Sequence, residues 1–301
     1  MSESVAEARQ AAADAHADTV LSVRDLRVYF EIRDPHSWPW TPSRTLKAVD
    51  GISFDLLAGE TLGIVGESGC GKSTLARALL NLIPAHSGSI RWMGHEMHGA
   101  SASAWLAVRK DVQMIFQDPL ASLDPRMTIA QIIAEPLRTH RPAMSKAEIM
   151  ERVRDMMTRV GLTQQQINRY PHEFSGGQCQ RIGIARALVL EPKLIICDEP
   201  VSALDVSIQA QIVNLLKDLQ QAMGLSLIFI AHDLAVVKHI SRRILVMYLG
   251  HEMELARKTA LYATPRHPYT RALLSAIPIP DPERERSKVI ELLHGDLPSP
   301  I

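Results

Sequence analysis

A glycine-rich segment that follows a short apolar run constrains the fold more than any other feature of this sequence. The run Thr61–Val65 leads into Gly66–Ser73, which reads GESGCGKS. The apolar residues that follow have helical spacing, and they are Leu75, Leu79, Leu82 and Ile83. This order predicts a strand, a tight loop and a helix. A glycine-rich loop of this spacing, in this position, is typical of phosphate binding.

The side chains of the loop support this interpretation. Its glycines let successive backbone N–H groups point at phosphate oxygens, Lys72 adds a positive charge, and the Ser73 hydroxyl can ligate Mg²⁺. The predicted nucleotide-binding residues of this segment are Gly66, Glu67, Ser68, Gly69, Cys70, Gly71, Lys72, Ser73 and Thr74. Because Cys70 precedes a helix and lies near Lys72, we also expect a reactive thiolate there, with Cys179 intermediate and Cys197 inert. The alternative is that Cys70 is only a small residue tolerated in a tight loop.

Composition excludes several other classes of protein. A chain of 301 residues with 46% hydrophobic residues can bury a substantial core, which excludes a disordered or fibrous protein. Lys and Arg together number 33, and Asp and Glu together also number 33, so the formal net charge is zero. We therefore expect no nucleic-acid partner. Residues 1–19 lack the features of a secretory signal and are predicted to be a disordered tail. The three cysteines have no metal-ligand spacing, which favours free thiols in the cytoplasm.

Periodicity indicates how the rest of the chain is organised. Alternating apolar residues in Val20–Phe30 and Ile52–Leu57 predict an antiparallel pair of strands, with a loop over Glu31–Leu46 between them. That loop contains Trp38, Pro39 and Trp40, to which we assign no function. The unbroken apolar runs Leu194–Cys197 and Leu225–Ile230 predict buried parallel strands, and each follows a helical segment. Together these patterns predict an α/β core with right-handed crossovers.

Two further segments depart from this alternation. Helical periodicity in Ile129–Leu137 and Ala147–Val160 predicts a helical subdomain inserted into the core over about residues 118–189. After Tyr262 the chain is rich in proline, with one short helix predicted over Tyr269–Ala276. We therefore expect one domain over residues 20–262 and an appended segment over residues 263–301.

Two motifs outside the loop carry chemistry. Asp198 and Glu199 end a predicted core strand, where Asp198 suits the outer shell of a metal and Glu199 can orient or deprotonate a water molecule. A helix is predicted to begin near Cys179, directly after Ser175, Gly176, Gly177 and Gln178. The backbone N–H groups at this helix start predict a second anion site. A kinase or GTPase built around such a glycine-rich phosphate-binding loop (a P-loop) has no use for this second site.

With these motifs in this order, the sequence resembles the ATP-binding subunits of ABC transporters. Residues Phe174 to Gln178 occupy the position of the family's signature motif. The resemblance implies that Gln117 contributes to catalysis and to Mg²⁺ binding, that Asp205 contacts nucleotide, and that His232 contacts the γ-phosphate of ATP. It also implies that Phe30 stacks on the adenine base, with Tyr29 as the alternative.

The resemblance narrows to oligopeptide and dipeptide importers, and within them to the second ATPase subunit of the oligopeptide permease. It is carried by Phe116–Met127, by Gln178–Arg181 and by His267–Leu274. It implies an ATPase, with ATP and Mg²⁺, that pairs head to tail with a second, non-identical ATP-binding subunit at the cytoplasmic face of the bacterial inner membrane. Two transmembrane permease subunits would be direct partners, and an extracytoplasmic peptide-binding protein an indirect one.

Three alternatives stay open at this point. One is a non-transport ABC ATPase of DNA repair or translation, although the chain has one nucleotide cassette and no long coiled coil. Another is an importer of a different solute, such as nickel. A P-loop nucleotide kinase is the third, although the signature and the pair Asp198 and Glu199 argue against it. Relatives in the resembled family continue beyond Leu297–Ile301 into a cysteine-bearing tail, so residues 263–301 are expected to be a truncated extension and no iron–sulfur function is carried over.

Overall fold

The computed structural model describes residues 18–33, 38 and 43–277. Most of the predicted N-terminal tail, Pro39 and Trp40 of the tryptophan-containing loop, and residues 278–301 of the predicted extension lie outside the described residues. Within the described part of the chain, no helix combines the length and the apolar character that crossing a bilayer requires.

An antiparallel sheet of four strands covers one side of the protein. Its strands are β1 (Thr19–Ile32), β2 (Arg44–Leu57), β4 (Ser87–Trp92) and β5 (His95–Glu96), in the order β2-β1-β4-β5. The predicted antiparallel pair is present, but the loop predicted over Glu31–Leu46 was too long. The hydroxyl of Thr45 donates to the carboxylate of Glu31 across the pair, at 2.8 Å, and this contact extends both strands beyond their apolar residues.

The central sheet has six strands. They are β3 (Thr61–Val65), β6 (Val112–Ile115), β7 (Leu194–Asp198), β8 (Ser226–Ile230), β9 (Arg243–Tyr248) and β10 (His251–Arg257). Their order is β10-β9-β3-β8-β7-β6, and all neighbours are parallel except β10 and β9. The structure therefore confirms an α/β fold with a parallel core sheet and an additional antiparallel sheet.

Nine α-helices lie in the described part of the chain. They are α1 (Lys72–Leu79), α2 (Ala102–Arg109), α3 (Ile129–His140), α4 (Lys146–Arg159), α5 (Gly176–Leu188), α6 (Val206–Met223), α7 (Leu234–Ile240), α8 (Lys258–Ala263) and α9 (Pro268–Ser275). Helix α1 ends before Leu82 and Ile83, which the apolar spacing had placed in it. Asn81 takes a left-handed φ of 51°, and Leu82 N donates back to the Arg77 carbonyl, which terminates the helix.

The central sheet separates two hydrophobic cores. Alternate residues of each buried strand face opposite sides, so Ile195 and Cys197 pack in one core while Leu194 and Ile196 pack in the other. Helices α3 to α7 close the first core, and the antiparallel sheet with α1 and α2 closes the second. This burial on both faces explains why the β7 and β8 segments are continuous apolar runs.

Candidate functional site

A cleft of about 250 Å³ lies at the carboxyl ends of the parallel strands. Residues 68–74 line it, as do Phe30, Gln117 and Glu199, all of them predicted from the sequence. Strand β3 ends at the glycine-rich loop, β7 ends at Asp198 directly before Glu199, and β6 ends shortly before Gln117. Since carboxyl ends of parallel strands meet at one sheet edge, the topology assembles these residues from distant parts of the chain.

The glycine-rich loop wraps around the ammonium group of Lys72. This side chain is only 4% exposed, and its Nζ donates to the carbonyl oxygens of Gly66 and Glu67 at 2.9 and 2.7 Å. Gly71 has a φ of 103°, and a Cβ there would lie 2.0 Å from the Ala48 carbonyl oxygen. The close approach of the Ala48 backbone therefore requires glycine at position 71. The two carbonyl contacts hold the ammonium group of Lys72 within the loop.

The Ser73 hydroxyl and the Asp198 carboxylate meet beside the loop. Ser73 Oγ donates to Asp198 Oδ1 at 2.7 Å, and Asp198 is 1% exposed. Burial raises the pKa of Asp198. The described residues include no group of three or more His, Cys, Asp or Glu side chains suited to a metal ion. The hydroxyl and carboxylate oxygens nevertheless fit Mg²⁺, which prefers oxygen ligands and completes its shell with waters and substrate phosphates.

One oxygen of Glu199 joins the three residues predicted to be catalytic. Gln117 Nε2 donates to Glu199 Oε2 at 3.3 Å, and His232 Nδ1 lies 3.5 Å from the same oxygen. The side chain of Glu199 is 13% exposed, whereas that of His232 is 57% exposed. Glu199 also has a left-handed φ of 47°, a conformation that is uncommon outside glycine and that clusters at functional sites. The arrangement can orient a water molecule at the cleft and accept its proton.

Phe30 faces the cleft, and Tyr29 does not. The Tyr29 hydroxyl donates to Asp50 Oδ1 at 2.6 Å, and its ring stacks on His86 with centroids 4.8 Å apart. These contacts hold the Tyr29 ring on the other side of β1. Among the described residues, Phe30 is therefore the aromatic side chain that lines this cleft.

The predicted second anion site lies away from the cleft. Ser175 caps α5, its Oγ accepts from Gln178 N, and Gln178 Oε1 accepts from Ser175 N at 3.0 Å. The helix begins at Gly176, three residues before its predicted start. A Cβ on Gly177 would come within 2.6 Å of Ile208, which places this turn beside the exposed Asp205 at the start of α6. The turn and Asp205 thus share a surface, separate from the glycine-rich loop.

Sequence reasoning missed five residues that line the cleft, and they are Leu46, Lys47, Ala48, Leu249 and Gly250. Leu46 is the last residue of the segment that was interpreted as a loop, and Lys47 and Ala48 lie between that segment and the strand predicted from Ile52. Gly250 N donates to the Cys70 carbonyl at 2.9 Å, which fixes the turn between β9 and β10 against the loop. The apolar run that ends at Leu249, followed by glycine, was the available signal for this turn.

The expectation of a reactive Cys70 was wrong. Cys70 is 3% exposed, and burial raises the pKa of its thiol even though Lys72 Nζ lies 3.8 Å away. Burial also raises the pKa values of Cys179 and Cys197, and both side chains are inaccessible. All three thiols are therefore protonated and shielded in the folded chain.

Comparisons with known proteins agree with this geometry. The model of the ABC transporter family matches residues 49–202, and that of the oligopeptide/dipeptide transporter C-terminal region matches residues 253–300. The chain is 68% identical to the oligopeptide transport ATP-binding protein OppF of Escherichia coli K12 over 282 residues, which cover 94% of this chain and 84% of that protein. OppF of Bacillus subtilis 168 is 58% identical over 250 residues, covering 83% and 82%. A dimeric post-hydrolysis structure of the ATP-binding cassette MJ0796, bound to ADP and Pi, aligns with a TM-score of 0.70 and 25% identity, covering 79% of this chain and 98% of that one.

Proposed function

Because this chain belongs to the ABC transporter family, among the oligopeptide transport ATP-binding proteins, we propose that it hydrolyses ATP in the cleft to drive peptide import. The observation that carries the proposal is the convergence of Gln117 and His232 on one oxygen of Glu199, beside the glycine-rich loop. Phosphoryl transfer to water requires positioned donors for the phosphates and a group that orients the attacking water. The described residues supply both.

Each residue of the cleft has a proposed role. The backbone N–H groups of residues 69–74 and the ammonium of Lys72 bind the phosphates, and Phe30 stacks on the adenine. Glu199 accepts the proton of the attacking water. His232 contacts both that carboxylate and the γ-phosphate and so keeps the two in a fixed relative position. Ser73, Asp198 and Gln117 hold Mg²⁺, which when bound supplies positive charge next to the phosphate oxygens.

The exposed turn at Ser175, Gly176 and Gly177 supports pairing with a second ATP-binding subunit. In a single chain this anion site lies away from the cleft, so it serves a nucleotide only when it faces the cleft of another subunit. The similar cassette MJ0796 is dimeric in the structure with ADP and Pi. We propose a head-to-tail pair with a non-identical subunit, in which Gln178 and Asp205 also approach the nucleotide, and in which closure completes each site.

The substrate and location follow from the matched C-terminal region and the relatives. We propose that two permease subunits in the bacterial inner membrane bind this chain at their cytoplasmic side, with a peptide-binding protein acting on the far side. The match over residues 253–300 favours peptides over nickel. No described feature favours DNA repair or translation.

Uptake measurements test the proposal. A strain without its own copy of this subunit should lose ATP-dependent uptake of a labelled oligopeptide, and this chain should restore it and co-purify with the permease subunits. The matched variant Lys72→Ala should co-purify but restore no uptake, because its phosphate contact is lost. Unchanged peptide uptake together with reduced nickel uptake would contradict the substrate. Failure to co-purify would contradict the transporter role.

A further inference from the structure

A buried tyrosine from the C-terminal part of the chain contacts the glycine-rich loop. Tyr269 lies in α9 and is 3% exposed, yet its hydroxyl oxygen accepts a hydrogen bond from Glu67 N at 3.3 Å. The two residues are separated by 202 positions in the sequence. None of the roles assigned above uses this contact.

The contact holds one particular peptide group. The peptide between Gly66 and Glu67 has one carbonyl and one N–H. Its carbonyl accepts from Lys72 Nζ at 2.9 Å, and its N–H donates to Tyr269. Because both its carbonyl and its N–H are hydrogen-bonded, the orientation of this peptide plane is fixed. The position of the Lys72 ammonium group in the nucleotide-free loop is therefore fixed as well.

Tyr269 is itself held on two sides. Its ring packs on Tyr248 with centroids 4.5 Å apart, and Tyr248 directly precedes the turn whose Gly250 N donates to the Cys70 carbonyl. The backbone N of Tyr269 donates to His267 Nδ1 at 3.1 Å, and Glu254 of β10 accepts from His267 N at 3.1 Å. The start of α9 is thus fastened to the central sheet, so its tyrosine presents the hydroxyl in a constant position.

The protonation of this hydroxyl does not change near neutral pH. Burial raises the pKa of Tyr269 well above its usual value, so the group stays a neutral acceptor for the Glu67 amide.

We propose that Tyr269 is a positioning residue for nucleotide binding, which acts on Lys72 through the Gly66–Glu67 peptide. Without the hydroxyl, this peptide loses the partner of its N–H and can rotate. The Gly66 carbonyl, which accepts from Lys72 Nζ, then no longer holds one orientation. The inference rests on the proposed placement of the ATP phosphates in the loop. It links the C-terminal region to the cleft through one hydrogen bond.

The test compares two tyrosine variants of the full chain. Tyr269→Phe removes the hydroxyl and keeps the ring, and a fluorescent ATP analogue should then bind about three- to tenfold more weakly, as expected for one lost hydrogen bond. In the assembled transporter, KM for ATP should rise by the same factor while kcat changes less than about twofold. Tyr262→Phe is the matched control, because the Tyr262 hydroxyl donates to Leu234 O, away from the loop. It should leave ATP affinity unchanged.

The outcomes separate this inference from the proposed function. Equal ATP affinity for Tyr269→Phe and the wild type, with a loss of thermal stability like that of Tyr262→Phe, would show a purely structural role and overturn the inference. Lys72→Ala provides the reference: if it binds ATP as the wild type does, the proposed function fails as well. The increase in Tm on adding ATP provides a second measure of affinity, and a smaller increase for Tyr269→Phe than for Tyr262→Phe supports the inference.

Discussion

Replacing Glu199 by glutamine separates ATP binding from hydrolysis at this cleft. The substitution keeps the size and shape of the side chain. Gln117 Nε2, now 3.3 Å from Glu199 Oε2, can still donate to the oxygen of the new amide, and His232 can remain beside it. The left-handed backbone of Glu199 is also retained. What the variant loses is the negative charge and the ability to accept a proton.

These losses set the expected size of the effect. A positioned general base contributes about 10²- to 10⁴-fold to a rate, which corresponds to about 2.7 to 5.5 kcal/mol of barrier. ATP affinity should stay equal or increase, because Lys72 and the loop amides are unchanged and one negative charge near the phosphates is gone. The variant should therefore accumulate with ATP bound and the subunit pair closed.

The assay is phosphate release by the assembled transporter, with ATP binding measured on the same preparation. Glu191→Gln is a matched control, because Glu191 also has a left-handed φ, 56°, but its carboxylate is exposed and lies 3.5 Å from Arg152, outside the cleft. That control should hydrolyse ATP at the wild-type rate. Hydrolysis by Glu199→Gln within about tenfold of the wild type would refute the role of Glu199 as the base.

Two further predictions use the buried ionisable groups. Since burial raises the pKa of Asp198, the folded chain binds this proton more tightly than the unfolded chain does, so stability from this carboxyl is lost as the pH rises. The Tm advantage of Asp198→Asn, without nucleotide or Mg²⁺, should therefore widen as the pH rises above about 4, the ordinary pKa of an aspartate, and a constant difference would contradict this. Brief alkylation followed by mass spectrometry should label Cys70, Cys179 and Cys197 only as fast as the chain unfolds. Rapid labelling of Cys70 in the folded chain would contradict this.

The sequence predicted the elements whose signals are local. The β7 run Leu194–Cys197 was recognisable because each of its residues is buried in one of two cores, and the glycine-rich loop because its spacing is a backbone requirement. The contribution of Lys47 and Ala48 to the cleft could not be predicted, since it depends on where β2 crosses the loop in space.

Cys70 shows the same limit for chemistry. The helix that follows it and the nearby Lys72 both favour a thiolate, and both are visible in the sequence. Desolvation outweighs them, because Cys70 packs into the core between the central sheet and the antiparallel sheet, among residues from distant parts of the chain. Tyr269 was likewise noticed only as part of a predicted helix and of a segment shared with the family. Its contact with Glu67 depends on how α9 folds back against the central sheet.

The alternation of strand residues between the two cores has a consequence for how this chain can vary. Ile195 and Ile196 are neighbours in sequence but pack in different cores, so the free-energy effects of substituting them should add with little coupling. Residues such as Ile195 and Phe229 share a core, and their substitutions should be coupled despite their distance along the chain. Substitutions in the core beneath the antiparallel sheet should therefore need no compensating substitutions in the core closed by helices α3 to α7.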